Sequence, residues 1–370
     1  MQFWRLRAVE DRVRRARFVD AALVHEHHAV GAHVIVFPEL ALTTFFPRWY
    51  IEDDAEINQF FEQEMPSAAT QPLFRLSKEL GVGFYLGYAE LAQEAGVAMR
   101  YNTSILVDRS GQIVAKYRKV HLPGHREHEP WRRFQHLEKR YFTPGPGFGV
   151  TQAFGGVMGM ALCNDRRWAE TYRVMGLQGV EMVLIGYNTP VHNAPAPQHD
   201  DLSLFHNELS MQAGAYQNGS WVVGVAKAGL EEDVDSIGGS CIIAPSGEVV
   251  ARCLTKDDEM AIARCDLDFC AVYKRTTFNF DLHRQPHAYG LITERKGETL
   301  AAAGSAWEHL DKRCHDSNHG PQVPVIGPGS VGRKPDLARP DSGGNPAADR
   351  CREHSRPDCA GRRLARARRQ

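Results

Sequence analysis

Short apolar runs alternate with amphipathic stretches along the first 294 residues of the chain. Apolar runs rich in β-branched and aromatic residues predict strands, and they occupy 34–37, 82–91, 101–107, 181–187 and 221–226. Apolar residues at helical spacing predict helices, and they recur near 13–30, 68–80, 168–179 and 200–217. Strands that alternate with helices, together with hairpins, predict an α/β layered sandwich with mixed sheets.

Two segments have the pattern of β-hairpins. Residues 105–115 and 242–251 each carry Ser-Gly between two apolar, β-branched runs. A short polar turn with a glycine between such runs is typical of a hairpin. This weak internal similarity suggests that the domain has two related halves.

The composition changes sharply near residue 295. Beyond it the chain is rich in proline, glycine and arginine, lacks apolar periodicity, and ends in Gly-Arg-Arg-Leu-Ala-Arg-Ala-Arg-Arg-Gln. Such a sequence buries too little apolar surface to offset the entropy of ordering, which predicts disorder. We therefore expect one domain over residues 1–294 and a disordered tail over residues 295–370.

Bulk properties narrow the functional classes. The chain has 370 residues, of which 43% are hydrophobic, and a formal net charge of -1. We therefore expect a sizeable core and do not expect nucleic acid as the main partner. No apolar stretch is long enough to span a bilayer, and the first residues lack the apolar segment of a signal peptide. The 8 cysteines are irregularly spaced, which favours reduced thiols in the cytoplasm over a disulfide framework.

Candidate chemistry begins at Cys163. The apolar run from Met158 to Leu162 ends at this cysteine, and Asn-Asp-Arg-Arg-Trp follows before a helix-compatible stretch. A thiol at such a corner lies near a helix N-terminus, which favours the reactive thiolate. The neighbouring Arg166 and Arg167 offer planar forks for a substrate carboxylate. Taken alone, the string also fits a small buried cysteine with a structural role.

Glu39 and Lys119 also stand at the ends of predicted strands. Strand ends are where many α/β enzymes gather their catalytic groups. A carboxylate in an apolar site has a raised pKa and can deprotonate a thiol. A lysine can stabilise the oxyanion of a tetrahedral intermediate. Together with Cys163, these residues satisfy what cysteine-dependent hydrolysis of a carbon–nitrogen bond requires.

Longer strings around these residues resemble one family, the N-carbamoyl-D-amino acid amidohydrolases of the nitrilase superfamily. The similar strings include Phe-Pro-Glu-Leu-Ala within 37–49, Tyr-Arg-Lys-Val-His-Leu-Pro-Gly-His at 117–125, residues 134–142, Cys-Asn-Asp-Arg-Arg-Trp at 163–168, Gly-Tyr-Asn-Thr-Pro at 186–190 and His-Arg-Gln-Pro at 283–286. The resemblance covers roughly residues 8 to 294. It implies a four-layer α-β-β-α sandwich that assembles as a homodimer or homotetramer.

The resemblance also implies a reaction. Enzymes of this family hydrolyse N-carbamoyl-D-amino acids, which are small molecules, to the D-amino acid, carbon dioxide and ammonia, without a metal or organic cofactor. Cys163 matches the nucleophile, Glu39 the general base and Lys119 the lysine that stabilises the oxyanion. Glu138 matches a second glutamate beside that lysine, although it also fits an ordinary buried ion pair.

The remaining matches are substrate-binding positions. Arg166 and Arg167 match a pair that binds the substrate carboxylate, although one of them could instead brace the turn. The positions that hold the ureido group or support the catalytic residues are matched by His121, His136, Asn164, Asn188 and Thr189. The two histidines also fit hydrogen-bonded core residues.

Some alternatives stay open at this stage. Family members begin with an interior strand that Met1 to Arg7 does not obviously replace, so we expect the first strand of the domain to be missing. A related amidase or a β-ureidopropionase acting on another carboxylate-bearing amide is the nearest alternative, followed by a truncated homologue with impaired catalysis. A non-catalytic binding protein is the alternative from another class, and the intact Glu39, Lys119 and Cys163 argue against it.

Overall fold

The computed structural model describes residues 31–298. The chain divides into two units, residues 1–291 and 292–370, and the sheets and the site described below belong to the first. The predictions of a missing first strand, of a helix near 13–30 and of disorder beyond residue 298 fall outside the described residues. Within the described residues, no helix has both the length and the apolar character needed to cross a membrane.

Most strands of the described residues belong to two sheets. The strands are β1 (Val34–Val36), β2 (Gly83–Glu94), β3 (Val97–Val107), β4 (Ile113–Arg118), β5 (Val150–Ala153), β6 (Gly156–Leu162), β7 (Met182–Tyr187), β8 (Trp221–Ala226), β9 (Ala228–Glu231), β10 (Val234–Ile237), β11 (Cys241–Ile243) and β12 (Val249–Arg252). The first sheet has the order β1-β2-β3-β4 and the second has the order β12-β11-β8-β7-β6-β5. Strands β9 and β10 form a separate antiparallel hairpin.

Parallel pairing is confined to two places in these sheets. β1 is parallel to β2 in the first sheet, and β6, β7 and β8 are parallel neighbours in the second. The other pairs are antiparallel, and the two hairpins predicted from their Ser-Gly turns are β3–β4 in the first sheet and β11–β12 in the second. Both hairpin predictions are therefore confirmed, with one hairpin in each sheet.

The longer helices lie where the apolar periodicity predicts them. The helices are α1 (Asp54–Ile57), α2 (Gln71–Leu80), α3 (Glu138–Tyr141), α4 (Ala169–Leu177), α5 (Ser203–Asn218), α6 (Phe269–Lys274), α7 (Phe280–His283) and α8 (Gly290–Glu294). Helix α2 ends at Gly81, whose φ of 65° is the left-handed conformation that glycine adopts without strain at a helix C-terminus. The predictions near 68–80, 168–179 and 200–217 are confirmed.

Alternating burial along the strands builds the layers. In β2, Tyr85 lies in the apolar cluster between the two sheets, where it meets residues such as Met160 and Leu184, whereas Phe84 lies in the cluster formed with α2. The outer face of the second sheet packs on α4 and α5 through residues that include Met175. Since successive side chains of a strand point to opposite faces, each sheet is buried on both sides. The result is the predicted four-layer α-β-β-α sandwich.

One edge of the first sheet is left open by the described residues. β1 pairs with β2 alone, and its other side borders a groove of about 1160 Å³ whose lining includes residues 31–38 and 255–265. Along the groove, half-buried Ala261, Ala263 and Cys265 alternate with exposed Ile262 and Arg264. This period-two burial is typical of a strand, yet the segment is not part of a sheet among residues 31–298.

The sequence reasoning missed β5 and the β9–β10 hairpin. β5 follows the Gly-Pro-Gly-Phe-Gly segment at 145–149 and is only half-buried. Strands β9 and β10 carry polar residues such as Asp235 and expose much of their length. Neither segment has the apolar alternation on which strand prediction depends.

Candidate active site

Three strand ends bring the predicted catalytic residues together between the sheets. Glu39 lies three residues beyond β1, Lys119 follows β4 directly, and Cys163 follows β6 directly. Glu39 and Lys119 have no exposed surface and Cys163 is 5% exposed. The ammonium of Lys119 donates to Glu39 Oε1 at 2.7 Å. The site is therefore a water-poor chamber in which a base, a cation and a thiol meet.

Glu39 is held on both carboxylate oxygens. Oε1 accepts from Asn102 Nδ2 at 2.8 Å as well as from Lys119, and Oε2 accepts from the backbone N–H of Asn188 at 3.1 Å. The carbonyl of Asn102 also accepts from the Lys119 N–H at 2.9 Å. Asn102 on β3 thus fixes the carboxylate and the lysine backbone relative to each other.

Two glycines let the Glu39 segment pass between the sheets. A Cβ on Gly186 would lie 2.7 Å from the Glu39 nitrogen, and a Cβ on Gly87 would lie 2.9 Å from the Glu39 Cα. Real Cβ atoms do not approach backbone atoms so closely, so any larger residue at either position would displace the segment. The close approach explains why β2 and β7 each carry a glycine at this level.

Lys119 is shared between two buried carboxylates. Its Nζ donates to Glu138 Oε2 at 2.6 Å, and the other oxygen of Glu138 lies 3.0 Å from His136 Nε2. Burial alone would lower the pKa of Lys119, but Cys163 when it is ionised, together with the carboxylates of Glu138 and Glu39, holds that pKa well above its ordinary value. The lysine therefore remains a cation where an oxyanion would form.

The two carboxylates have opposite pKa shifts. Burial raises the pKa of Glu39, the nearby Lys119 lowers it in part, and the charge of Glu138 raises it again. Burial also acts to raise the pKa of Glu138, but Lys119 and His136 outweigh it and the pKa falls below its ordinary value. Two neighbouring carboxylates whose pKa values differ in this way can have different roles in acid–base catalysis. Glu138 keeps Lys119 charged, and Glu39 can take and return a proton.

Cys163 lies in a strained turn. Its φ of 43° is in the left-handed region, which costs a residue other than glycine about 1–3 kcal/mol and persists only where the surroundings enforce it. The residue opens the 3₁₀ turn Cys163–Arg167, and Arg166 Nη1 donates to its carbonyl at 2.7 Å. This strain directs the thiol into the chamber, where Sγ lies 3.7 Å from the Asn188 carbonyl oxygen.

The thiol is neutral at rest. Burial and the charge of Glu39 raise the pKa of Cys163, and the positive charges of Lys119 and Arg166 oppose this shift only in part. The short helix-like turn after the cysteine therefore does not produce the stable thiolate that the sequence suggested. Nucleophilic attack requires a base, and Glu39 is the group placed to supply it.

The two arginines occupy different environments. Arg166 is fully buried: its Nε donates to Asn207 Oδ1 at 2.6 Å, its Nη2 donates to Thr189 Oγ1 at 2.9 Å, and its guanidinium lies 4.2 Å from the Tyr187 ring centroid. Arg167 is exposed, and partial desolvation and the charge of Arg166 lower its pKa to about 10. Arg167 is thus the arginine with a reachable guanidinium, and Arg166 braces the turn beneath it.

The other predicted substrate-binding residues surround the same turn. The Nδ1 of His121 lies 2.9 Å from Asp165 Oδ1, and Asn164 Nδ2 donates to the His121 carbonyl at 3.1 Å. The Nδ2 of Asn188 is buried and has no hydrogen-bond partner within the described part of the chain. An unpaired donor beside Cys163 is available to a substrate oxygen, and substrate binding by Asn188 stays a prediction.

Sequence reasoning assigned no role to Asn102 or Asp165. Asn102 stands in the apolar run of β3, where a fully buried polar residue is a signal of a specific hydrogen-bonding role. Asp165 is also fully buried, and the backbone N–H of Leu162 and the hydroxyl of Tyr117 both donate to it. The contacts of both residues join distant parts of the chain, which spacing in the sequence does not show.

Comparisons with known proteins show the family of this chain. A profile of the carbon-nitrogen hydrolase family matches residues 17–275. The chain is 31% identical to N-carbamoylputrescine amidase from Arabidopsis thaliana over 74% of this chain and 89% of that protein. It is 28% identical to deaminated glutathione amidase from Homo sapiens over 73% of this chain and 77% of that protein.

Solved structures share the fold at lower identity. A carbon-nitrogen hydrolase from Helicobacter pylori G27 superposes with a TM-score of 0.66 at 20% identity, covering 77% of this chain and 94% of that one. An amidase from Nesterenkonia sp. AN1, captured as a mutant whose active-site cysteine carries acrylamide, has a TM-score of 0.53 at 19% identity and covers 71% of this chain and 91% of its own. At these identities the likeness concerns the fold.

Replacing Gly186 with alanine should disturb Glu39 directly. We expect Gly186→Ala to lower the free energy of unfolding by about 1–3 kcal/mol because the added Cβ overpacks the Glu39 backbone, and to slow alkylation of Cys163 by iodoacetamide. Thermal denaturation and timed alkylation measure the two effects. Gly149→Ala is the matched control, since nothing lies within 4 Å of its Cβ position. A wild-type alkylation rate in Gly186→Ala would contradict the dependence of Glu39 on this close approach.

The charge of Glu138 near Glu39 predicts how the alkylation rate of Cys163 depends on pH. Since the charge of Glu138 raises the pKa of Glu39, Glu138→Gln should lower the pKa of Glu39. Glu39 would then be ionised at lower pH, so the acid limb of the pH profile for Cys163 alkylation should move to lower pH. Glu248→Gln, in a surface turn, should leave the profile in place. A shift of the acid limb to higher pH in Glu138→Gln would disprove this coupling.

Proposed function

Because this chain belongs to the carbon-nitrogen hydrolase family of the nitrilase superfamily, we propose that it hydrolyses N-carbamoyl-D-amino acids to the D-amino acid, carbon dioxide and ammonia. The chain is a hydrolase of carbon–nitrogen bonds of the amidase type. The choice of substrate rests on one observation: the buried Glu39, Lys119 and Cys163 adjoin Arg166 and the exposed Arg167.

The first half-reaction forms a thioester. Glu39 removes the thiol proton as Cys163 Sγ attacks the ureido carbonyl carbon, and the carbonyl π electrons move to its oxygen. Lys119 Nζ and the backbone N–H after the nucleophile stabilise the oxyanion. The bond to the terminal nitrogen then breaks, and Glu39 returns its proton to the departing ammonia.

The second half-reaction consumes water. Glu39 deprotonates a water molecule that attacks the thioester carbonyl, and the proton then goes to the departing thiolate of Cys163. The product is the N-carboxy amino acid, a carbamic acid that loses carbon dioxide to give the free amino acid. The same carboxylate acts as base and then as acid in both halves, which a raised pKa favours.

The charges around Cys163 favour an anionic substrate. Arginine forks pair with carboxylates in a bidentate manner, and Arg167 is exposed beside the nucleophile. The carboxylates of Glu39, Glu138 and Asp165 are fully buried and already hydrogen-bonded. A substrate ending in an amine, such as N-carbamoylputrescine, would bring a second cation to this side of the site. The similarity of the strings around Arg166 and Arg167 to the N-carbamoyl-D-amino acid amidohydrolases supports the D configuration.

A carboxylate-bearing amide of another kind is the second candidate. A β-ureidopropionase or related amidase would use the same Cys163 and the same arginines, because its substrates also carry a carboxylate. The favoured amino-acid side chain and the assembly as a homodimer or homotetramer stay predictions. Substrate comparison separates these candidates.

Ammonia release from a small panel of ureido compounds tests the proposal. Purified protein should release ammonia from N-carbamoyl-D-phenylalanine, slowly or not at all from its L-enantiomer and from N-carbamoylputrescine, and Cys163→Ala should release none because the nucleophile is lost. Preference for N-carbamoyl-β-alanine would favour the second candidate. Faster release from N-carbamoylputrescine than from the D-amino acid derivative would overturn the anionic-substrate proposal.

The arginine assignment has its own test. Arg167→Ala should raise KM for N-carbamoyl-D-phenylalanine by roughly 10-fold or more, because a charge-assisted bidentate pair is lost, and Arg167→Lys should restore this only in part because a point charge does not reproduce the fork. Arg166→Lys should lower kcat as well, since the buried turn loses its brace. Arg109→Ala, in an exposed turn, is the control. Wild-type KM in Arg167→Ala would remove this residue from the substrate contact.

A further inference from the structure

Asp165 is a buried carboxylate to which the proposed reaction assigns no chemical step. Its Oδ2 accepts from the Tyr117 hydroxyl at 2.7 Å and from the Leu162 N–H at 3.1 Å. Its Oδ1 accepts from the His121 N–H at 2.9 Å and lies 2.9 Å from the Nδ1 of the same residue. With four donors and no exposed surface, the carboxylate has little freedom to move.

The four donors come from the two segments that carry the reacting groups. Tyr117 and His121 stand two residues before and two residues after Lys119, and Leu162 immediately precedes Cys163. One carboxylate therefore ties the lysine segment to the nucleophile turn. The described hydrogen bonds of Lys119 Nζ go to Glu39 and Glu138, so its distance to the thiol depends on the backbone that Asp165 fixes.

The strain at Cys163 makes this tie more important. Two hydrogen bonds flank Cys163, whose φ is left-handed. The N–H of Leu162 donates to Asp165, and Arg166 donates to the carbonyl of Cys163. A strained residue keeps its conformation only while its neighbours hold it. Loss of either contact would let the turn relax and would turn the thiol away from Glu39.

His121 is oriented by the same carboxylate. Its ring stacks on Trp168, with centroids 4.9 Å apart and planes 10° from parallel, and on Phe148 at 5.7 Å. The contact between Nδ1 and Asp165 places a proton on Nδ1 and leaves Nε2 for the open side of a ring that is 25% exposed. The hydrogen bond that one ring nitrogen makes sets which nitrogen of a neutral histidine carries the proton.

We propose that Asp165 is a positioning residue that holds the Lys119 segment against the Cys163 turn and fixes His121 in its Nδ1–H tautomer. It touches neither the thiol nor the substrate carbonyl and acts through the groups it orients. The kinetic part of this proposal rests on the proposed function, whereas thiol reactivity and the histidine tautomer do not.

Asp165→Asn tests the proposal with little change in volume. One carboxamide oxygen cannot replace two carboxylate oxygens, and its NH2 group would face donors. We expect kcat for N-carbamoyl-D-phenylalanine to fall on the order of 10- to 100-fold through misplacement of the reacting groups, with KM changed by less than about threefold. Iodoacetamide should alkylate Cys163 more slowly, and ¹⁵N NMR of the ring nitrogens should show His121 losing the Nδ1–H tautomer.

Asp108→Asn is the matched control. Asp108 accepts two backbone N–H groups and the Ser110 hydroxyl in the turn before β4, at the end opposite Lys119. Its loss should change thermal stability but neither alkylation nor the tautomer. Folded Asp165→Asn protein with wild-type kcat, alkylation rate and His121 signals would overturn the proposal.

Tyr117→Phe decides the matter if Asp165→Asn does not fold. It removes one of the four donors and leaves the other three, so the protein should keep its Tm within a few degrees while Cys163 alkylation slows. Unchanged alkylation in folded Tyr117→Phe would then overturn the proposal. Should the wild-type protein release no ammonia from the panel, the alkylation and NMR results still decide the role of Asp165, and the failure belongs to the proposed substrate.

Discussion

The site depends on one buried cation. The ammonium of Lys119 has no exposed surface and lies 2.7 Å from one carboxylate and 2.6 Å from another. Removing such an ion from water costs several kcal/mol, which only close partners with good geometry offset. Glu39 and Glu138 must therefore meet Lys119 wherever it is buried, and this requirement fixes the ends of β1 and β4 and the start of α3 relative to one another. Cys163 completes the site because it follows β6 directly.

The shared cation also explains why Cys163 is a neutral thiol at rest and not a thiolate paired with a charged histidine. One lysine between two buried carboxylates does not shift the pKa values of both to the same extent. The pKa of Glu138, which has His136 as a further partner, is lowered, whereas burial raises the pKa of Glu39. Cys163 therefore stays a neutral thiol until a substrate carbonyl is bound beside it, and Glu39 then accepts the thiol proton as the sulfur attacks. The geometry thus favours a thiolate that forms only during attack on the bound substrate.

How far the sequence predicts this arrangement depends on where each contact originates. Strand runs and helical periodicity locate the layers, and Cys163, Lys119 and Glu39 are identifiable because each stands where a predicted strand ends. The arginines are apparent from the string after Cys163, and the resemblance adds Glu138. Asn102 and the full role of Asp165 are not predictable in this way, because each acts through contacts between segments that are far apart in the chain. The helix-like turn after Cys163 suggests a thiolate, but burial and the charge of Glu39 outweigh it, and a local pattern contains neither effect.

The charges of the site residues favour a substrate that carries a carboxylate. Lys119, Arg166 and Arg167 are cations, whereas Glu138 and Asp165 are the buried carboxylates committed to hydrogen bonds with the lysine and with His121. Glu39 and Glu138 pair with Lys119, and Asp165 is already fully hydrogen-bonded, so the positive charge of the exposed Arg167, whose pKa desolvation lowers to about 10, remains for a ligand. A substrate carboxylate at Arg167 would neutralise that charge and, by excluding water, strengthen the hold of Lys119 on the oxyanion. An amine in the same place would bring a second positive charge beside Arg167. The electrostatics of the catalytic residues and the choice of an anionic substrate are therefore parts of the same arrangement.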